Sequence, residues 1–178
     1  MKIMVIGGGG REHAIIRKLR EDPRAEEIYA LPGNGGIAKD AVCVPIGAKD
    51  IFGIVNFARE KQIDFAVVAP DDPLALGAVN ALNAVGIPCF GPTRDAARIE
   101  SSKVFAKDLM ARYGIPTAAC HVFDNMQEAL RYVDRCPLPV VVKADGLALG
   151  KGVVIAVTRA EAVLAVRSML EEKGLGGS

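Results

Sequence analysis

The stretch Val140–Val157, VVVKADGLALGKGVVIAV, sets Lys143 and Lys151 among three glycines, with β-branched residues on either side. Small residues let backbone N–H groups approach a polyphosphate, and the two ammonium groups supply charge to it. The spacing is not that of a Walker A loop, in which a Lys-Ser/Thr pair opens a helix. Here three residues separate Gly146 from Gly150, Gly152 follows Lys151, and Val153–Ile155 continue as strand. The pattern reads as a β-hairpin flap that holds phosphate.

A second anion site is suggested by Gly7-Gly8-Gly9-Gly10-Arg11-Glu12, which follows an apolar strand and opens a helix. A GxGxxG fingerprint fails in both registers, because Gly7 and Gly9 lead to Glu12, and Gly8 and Gly10 lead to His13. The next strand ends in Ala30-Leu31-Pro32, without the acidic residue that binds a ribose hydroxyl in a dinucleotide site. A single phosphate at the helix N-terminus, helped by Arg11, suits the loop better. Pro32-Gly33-Asn34-Gly35-Gly36 and Pro70-Asp71-Asp72-Pro73 follow two further strands and fall on the same rim. Asp71 or Asp72 could hold a sugar hydroxyl or an amine, or cap a helix from Pro73; capping suits Asp72 better. Lys103 is ambiguous by itself, and neither His13 nor His121 has partners at a ligand-set or triad spacing.

These residues need a scaffold. The first 90 residues alternate strand and helix: strands over Lys2–Ile6, Glu27–Leu31, Val42–Ile46, Asp64–Ala69 and Ile87–Phe90. Helices are expected over Glu12–Arg20, from an Asp50 cap to Lys61, and over Pro73–Val85, closed by Gly86. Ala14, Ile15, Ile16 and Leu19 form the apolar side of the first helix. This rhythm implies an α/β fold with a doubly wound parallel sheet, whose ligands bind beyond the carboxyl ends of its strands. A long helix over Arg94–Tyr113, interrupted near Ser101-Ser102, marks a change of composition. A strand over Ala119–Phe123, a helix capped by Asp124 or Asn125, strands over Leu138–Ala144 and Val153–Val157, and a helix bearing Ala162, Val163, Val166, Met169 and Leu170 follow. Gly174–Ser178 reads as the start of a loop or a chain end. Two domains are expected, residues 1–100 and 101–178.

Composition narrows the function. The 178 residues are 51% hydrophobic and 24% charged, with a net charge of +1, which fits a globular chain and not a nucleic-acid platform. Aromatics at 5% and no Trp leave few stacking surfaces for bases. The apolar run at the N-terminus ends in glycines too early for a signal peptide, and no stretch is long enough to span a membrane. Cys43, Cys89, Cys120 and Cys136 are widely spaced without a CxxC pair, so reduced, mostly buried thiols in a cytoplasmic protein are expected, Cys120 among the buried.

Taken together, the motifs resemble the phosphoribosylamine–glycine ligase (glycinamide ribonucleotide synthetase) family, ATP-grasp enzymes of purine biosynthesis. The carriers are GGGGREHA at Gly7–Ala14, LPGNGGIA at Leu31–Ala38, APDDPLALG at Ala69–Gly77 and FGPT at Phe90–Thr93. IESSKVFAKDLMARYGIPTA at Ile99–Ala118 and VVKADGLALGKGVV at Val141–Val154 complete the set. The resemblance implies a substrate domain followed by the first part of an ATP-grasp domain. It implies that Lys103, Lys143, Asp145, Gly146, Leu147, Gly150, Lys151 and Gly152 hold ATP. Gly8, Gly9, Gly10, Arg11, Glu12, Gly33, Asn34, Pro70 and Asp71 would contact phosphoribosylamine. Asp71 stands where the family commonly has glutamate, Ala69 where it has glycine, and Leu149 where it has alanine.

The implied reaction is ATP-dependent ligation of glycine to 5-phosphoribosylamine through a glycyl phosphate, with no nucleic acid or membrane as partner. The Mg²⁺ ligands and the other wall around adenine would belong to a second half of the ATP-grasp fold, outside these residues. The chain alone is therefore expected to be inactive and to bind ATP weakly at best. Two other readings compete: a free-standing module that binds a phosphorylated metabolite, and a different ATP-grasp ligase or carboxylase.

Overall fold

The computed structural model describes residues 1–147 and 152–175, and the chain divides into two compact units, Met1–Ser101 and Ser102–Ser178. The first unit runs β1 (Lys2–Gly7), α1 (Gly10–Leu19), β2 (Glu27–Pro32), a 3₁₀ turn (Ile37–Lys39), β3 (Val42–Cys43) and α2 (Ile51–Lys61). It continues with β4 (Phe65–Val68), α3 (Asp71–Ala75), α4 (Ala78–Ala84), β5 (Cys89–Phe90) and α5 (Arg94–Ser101). All five strands are parallel, in the order β3-β2-β1-β4-β5.

The alternation of side chains along β1 explains why helices cover both faces. Ile3 and Val5 pack with Ile16 of α1, Ile28, Ala30 and Val67 on one face. Met4 and Ile6 pack with Ile54 and Phe57 of α2, Leu82 of α4 and Ala97 of α5 on the other. Adjacent residues of a strand point to opposite faces, so a run buried on both must be apolar throughout, as KIMVIG nearly is. Leaving β1, the chain builds β2 and β3 on one side, then returns through α2 to place β4 on the other. The fork between β1 and β4 is the topological switch of the sheet, the place where such folds bind ligands.

Several elements differ from the expected ones. The third strand stops at Cys43, and the fifth begins at Cys89. The helix expected over Pro73–Val85 is two helices, because Gly77 adopts φ +86°, outside the helical region. Its start is also earlier: Pro70 occupies the N-cap position, Asp71 and Asp72 lie in the first turn, and neither caps it. Asp72 instead pairs with Lys49 at 2.7 Å. Ala14 is exposed, whereas Ile15 and Leu19 are partly buried against the core.

The second unit comprises α6 (Lys103–Arg112), α7 (Met126–Val133), the antiparallel pair β6 (Val140–Lys143) and β7 (Val153–Ala156), and α8 (Arg159–Leu175). Asn125 caps α7, its carbonyl oxygen accepting from the N–H groups of Gln127 and Glu128. Ala129 and Val133 of α7 and Ala162 and Val166 of α8 pack with Ala156, Val140 and Val142 on one face of the hairpin. Residues 119–123 form no strand; Val122 is exposed, and no described backbone pairs with this segment to make a ladder. Cys120 is consequently exposed and not buried, while Cys136 is buried and Cys43 and Cys89 are intermediate. Gly174 and Leu175 are helical, not the start of a loop, and residues 176–178 lie outside the described ones.

Candidate functional site

In the first unit three loops meet at the carboxyl ends of β1, β2 and β4. The Gly33 N–H donates to the Gly7 carbonyl at 3.2 Å. The Asn34 amide nitrogen donates to the Gly8 carbonyl at 2.7 Å. The Asn34 carbonyl oxygen accepts from Gly36 N at 2.7 Å and Ile37 N at 2.9 Å, so this one side chain ties two loops and opens the 3₁₀ turn. A Cβ on Gly8 would fall 2.5 Å from the Gly33 carbonyl oxygen, a backbone atom that cannot swing away. Gly7, at φ +122°, has Pro70 of the third loop against it: a Cβ there would lie 2.8 Å from the Pro70 ring. Glycine at 7 and 8 is thus a packing requirement of the junction itself.

Glu12 is 6% exposed and is the one buried charged residue among those described. Its Oε2 accepts from the Gly9 N–H at 2.6 Å, so the side chain reaches back to the residue that opens α1. Gly9, Gly10 and Arg11 remain exposed above it. Among the described residues the side chains of Arg11 and Asp71 have no hydrogen-bond or ion-pair partner, and both are exposed on this rim. A cation at a helix N-terminus, free N–H groups and a carboxylate across the switch point can together hold an anionic group and a polar one. His13 carries a contact the spacing did not reveal: its Nε2 lies 2.9 Å from Asp40 Oδ2, joining α1 to the segment after the 3₁₀ turn.

The second unit holds Lys103, Lys143, Asp145, Gly146, Leu147 and Gly152. Lys143 is exposed on the face of the hairpin that also bears Val141, Val153 and Ile155, opposite the face covered by α7 and α8. Gly152 is buried, and its carbonyl accepts from Ala144 N at 2.8 Å, extending the hairpin by one step. Leu147 is half-buried. Gly150, Lys151 and Leu149 lie outside the described residues.

Asp145 faces protein donors. Its Oδ1 accepts from Lys103 N at 2.7 Å and from Val104 N at 3.2 Å, and its Oδ2 accepts from the Ser102 hydroxyl at 3.2 Å. Burial pushes this carboxyl up, but the N–H groups of Val104, Lys103 and Gly146 and the Ser102 hydroxyl outweigh it, and the result is a pKa below the usual carboxylate range. The Lys103 ammonium donates to the Gly146 carbonyl at 2.7 Å. Gly146 has φ +96°, a conformation that favours glycine where the chain leaves β6.

Known proteins are similar to this chain in sequence and architecture. The phosphoribosylglycinamide synthetase N domain matches residues 1–100, and the phosphoribosylglycinamide synthetase ATP-grasp (A) domain matches residues 101–178. A phosphoribosylamine–glycine ligase of Streptococcus suis is 48% identical over all of this chain and 43% of its own length. That of Allochromatium vinosum is 49% identical over 96% of this chain and 40% of its own. The crystal structure of phosphoribosylamine–glycine ligase from Thermotoga maritima superposes with a TM-score of 0.73 at 30% identity, over 92% of this chain and 38% of that one. The chain therefore spans about two-fifths of the length of the relatives it matches.

Proposed function

The chain belongs to the phosphoribosylglycinamide synthetase family, and from that premise we propose that it supplies the phosphoribosylamine site and part of the ATP site of an ATP-dependent ligase. In the reaction a glycine carboxylate oxygen attacks the γ-phosphorus of ATP, the bond to ADP breaks, and glycyl phosphate forms. The amine of 5-phosphoribosylamine then attacks the acyl carbon, inorganic phosphate leaves, and the amine's proton passes to solvent, giving glycinamide ribonucleotide. Such chemistry is driven by positioning and by neutralising charge on transferring oxygens.

The observation that carries this reading is the junction of three loops at the β1/β4 fork. Gly8, Gly9, Gly10 and Arg11 take the 5-phosphate in this reading. Gly33 and Asn34 hold the glycine loop in shape, Pro70 packs against it, and Asp71 accepts from a ribose hydroxyl. Glu12 acts beneath the loop through Gly9. Lys103 and Lys143 neutralise the triphosphate, with Gly146, Leu147 and the segment from Gly150 through Lys151 to Gly152 covering it. Among the described residues no group of three His, Cys, Asp or Glu side chains could hold a metal, and the Asp145 carboxylate is already surrounded by N–H groups. The family resemblance assigns the protein ligands of the Mg²⁺ that accompanies ATP to the part of the relatives that this chain does not span.

Titrating the ¹⁵N-labelled chain with ribose 5-phosphate, a stable stand-in for phosphoribosylamine, and separately with ATP tests the assignment. Ribose 5-phosphate is expected to shift the amides of Gly9, Gly10 and Arg11, and millimolar ATP those of Lys103, Lys143 and Gly152. Ribose 5-phosphate shifts without any response to ATP would favour a module for phosphorylated metabolites. Silence of the glycine loop would overturn the substrate assignment.

A further inference from the structure

Asp145 was expected among the ATP contacts, and among the described residues its carboxylate accepts from the N–H groups of Lys103 and Val104 and from the Ser102 hydroxyl. The first three N–H groups of α6, which have no partner inside the helix, are all satisfied from two side chains. Those of Lys103 and Val104 donate to Asp145, and that of Phe105 donates to the Ser102 hydroxyl oxygen at 3.1 Å. Ser102 donates its own proton to Asp145. The helix start is therefore capped partly from 42 residues away, by the residue that follows β6 by two positions. A carboxylate so placed also excludes the α6 N-terminus as a phosphate site, because a second anion there would meet like charge with no free N–H to receive it.

A second link between these segments also has Lys103 as its donor. The Lys103 backbone donates to Asp145, and its ammonium donates to the carbonyl of Gly146, the next residue along. Lys103 is thus fixed at its backbone and tied at its tip only to a neutral carbonyl. A phosphate oxygen is a stronger acceptor for an ammonium than a carbonyl is.

We propose that Asp145 is a positioning residue of the ATP site, one that pins the start of α6 to the end of β6 so that Lys103 can exchange the Gly146 carbonyl for a nucleotide phosphate while its backbone stays in place. This rests on the reading of Lys103 as a phosphate ligand. Asp145 itself touches no phosphate. Its effect on nucleotide affinity passes through Lys103, because among the described residues only Lys103 shares its hydrogen-bond network and carries a charge suited to ATP.

The test is a double-mutant cycle on the whole 178-residue chain, with ATP affinity read by amide shifts at millimolar nucleotide. Lys103→Ala and Asp145→Asn are each expected to weaken ATP binding about tenfold or more, the scale of a hydrogen bond to a charged group. The combined variant is expected to be no weaker than Lys103→Ala, since Asp145 has nothing left to position. Unchanged amide shifts at Ala129, Val133, Ala162 and Val166, in the core of the second unit, report that this unit is folded. Should Asp145→Asn unfold the second unit, Ser102→Ala, which removes one donor to the same carboxylate, is expected to weaken ATP in the same direction by a smaller factor. Additive losses, or an Asp145→Asn chain whose Lys103 and Val104 amides lose exchange protection while ATP affinity stays unchanged, would overturn the proposal and leave Asp145 as a helix cap. An unchanged affinity in Lys103→Ala would instead remove the premise, and is seen without any Asp145 variant.

Discussion

Two carboxylates, Glu12 and Asp145, sit in glycine-bearing turns where an anion is expected to bind, and both are engaged by backbone N–H groups. Neither contact was read from the sequence. The resemblance assigned Glu12 to substrate, and its bond to the N–H of Gly9, three residues earlier, came only with the structure. Asp145 gives no local signal, because its partners lie about 42 residues away. The His13–Asp40 contact was hidden for the same reason, at a separation of 27. Glu12→Ala leaves the Gly9 N–H without its acceptor and empties space beside Gly7 and Pro70. It is expected to destabilise the chain by about 1–3 kcal/mol in urea denaturation. Glu12→Gln keeps a carbonyl oxygen there and is expected to cost less. Asp145 gives a pH signature. Its pKa is lowered in the folded chain, so its stabilising effect is fully present above the ordinary aspartate value near ~3.9 and is lost as pH falls through the folded value. Amide exchange at Lys103 and Val104, followed from neutral pH downward, is expected to stay slow to below that ordinary value. Loss of protection above pH ~5, before an ordinary aspartate takes up its proton, would contradict it.

At the scale of elements, caps were easier to read than breaks. Asp50, and the pair Asp124 or Asn125 of which Asn125 is the cap, were legible as helix starts because a short polar side chain before an apolar-periodic run has few other uses. The interruption near Ser102 was legible too, since Ser-Ser before a lysine-rich run competes with helix for the backbone. Gly77 was not. Small residues run on either side of it at helical spacing, and nothing in ALGAVNAL distinguishes a tolerated glycine from one that turns the chain. The fold distinguishes them, because Gly77 is buried at φ +86° between α3 and α4. An added Cβ would meet only ordinary contacts with the Arg94 and Asn80 side chains, at 3.6 Å or more, so the cost of Gly77→Ala is conformational and not steric. A loss of about 1 kcal/mol is expected, measured by thermal or urea unfolding. No measurable loss would mean that the α3–α4 break is not held at this residue. Strand signals over 119–123 failed for a different reason: alternation describes one chain, whereas a ladder needs a second backbone beside it.

For the molecule as a whole, strand and helix alternation made the parallel sheet legible, and the β1/β4 fork follows from its order. The order itself was not readable, since five strands with similar apolar runs carry no label for their neighbours. Burial then supplies what alternation could not. Both core clusters of the first unit draw only on residues from Ile3 to Ala97, and the cluster of the second draws on residues from Phe123 to Leu170. Every loop of the β1/β4 junction, from Gly7 to Asp71, also lies in the first unit. A polypeptide of residues 1–101 therefore keeps both covered faces of its sheet and all the hydrogen bonds that shape the glycine loop. It is expected to unfold in a single cooperative transition and to show the same Gly9, Gly10 and Arg11 shifts with ribose 5-phosphate as the 178-residue chain. Non-cooperative melting, or loss of those shifts in a folded 1–101 polypeptide, would mean that residues beyond Ser101 complete the site.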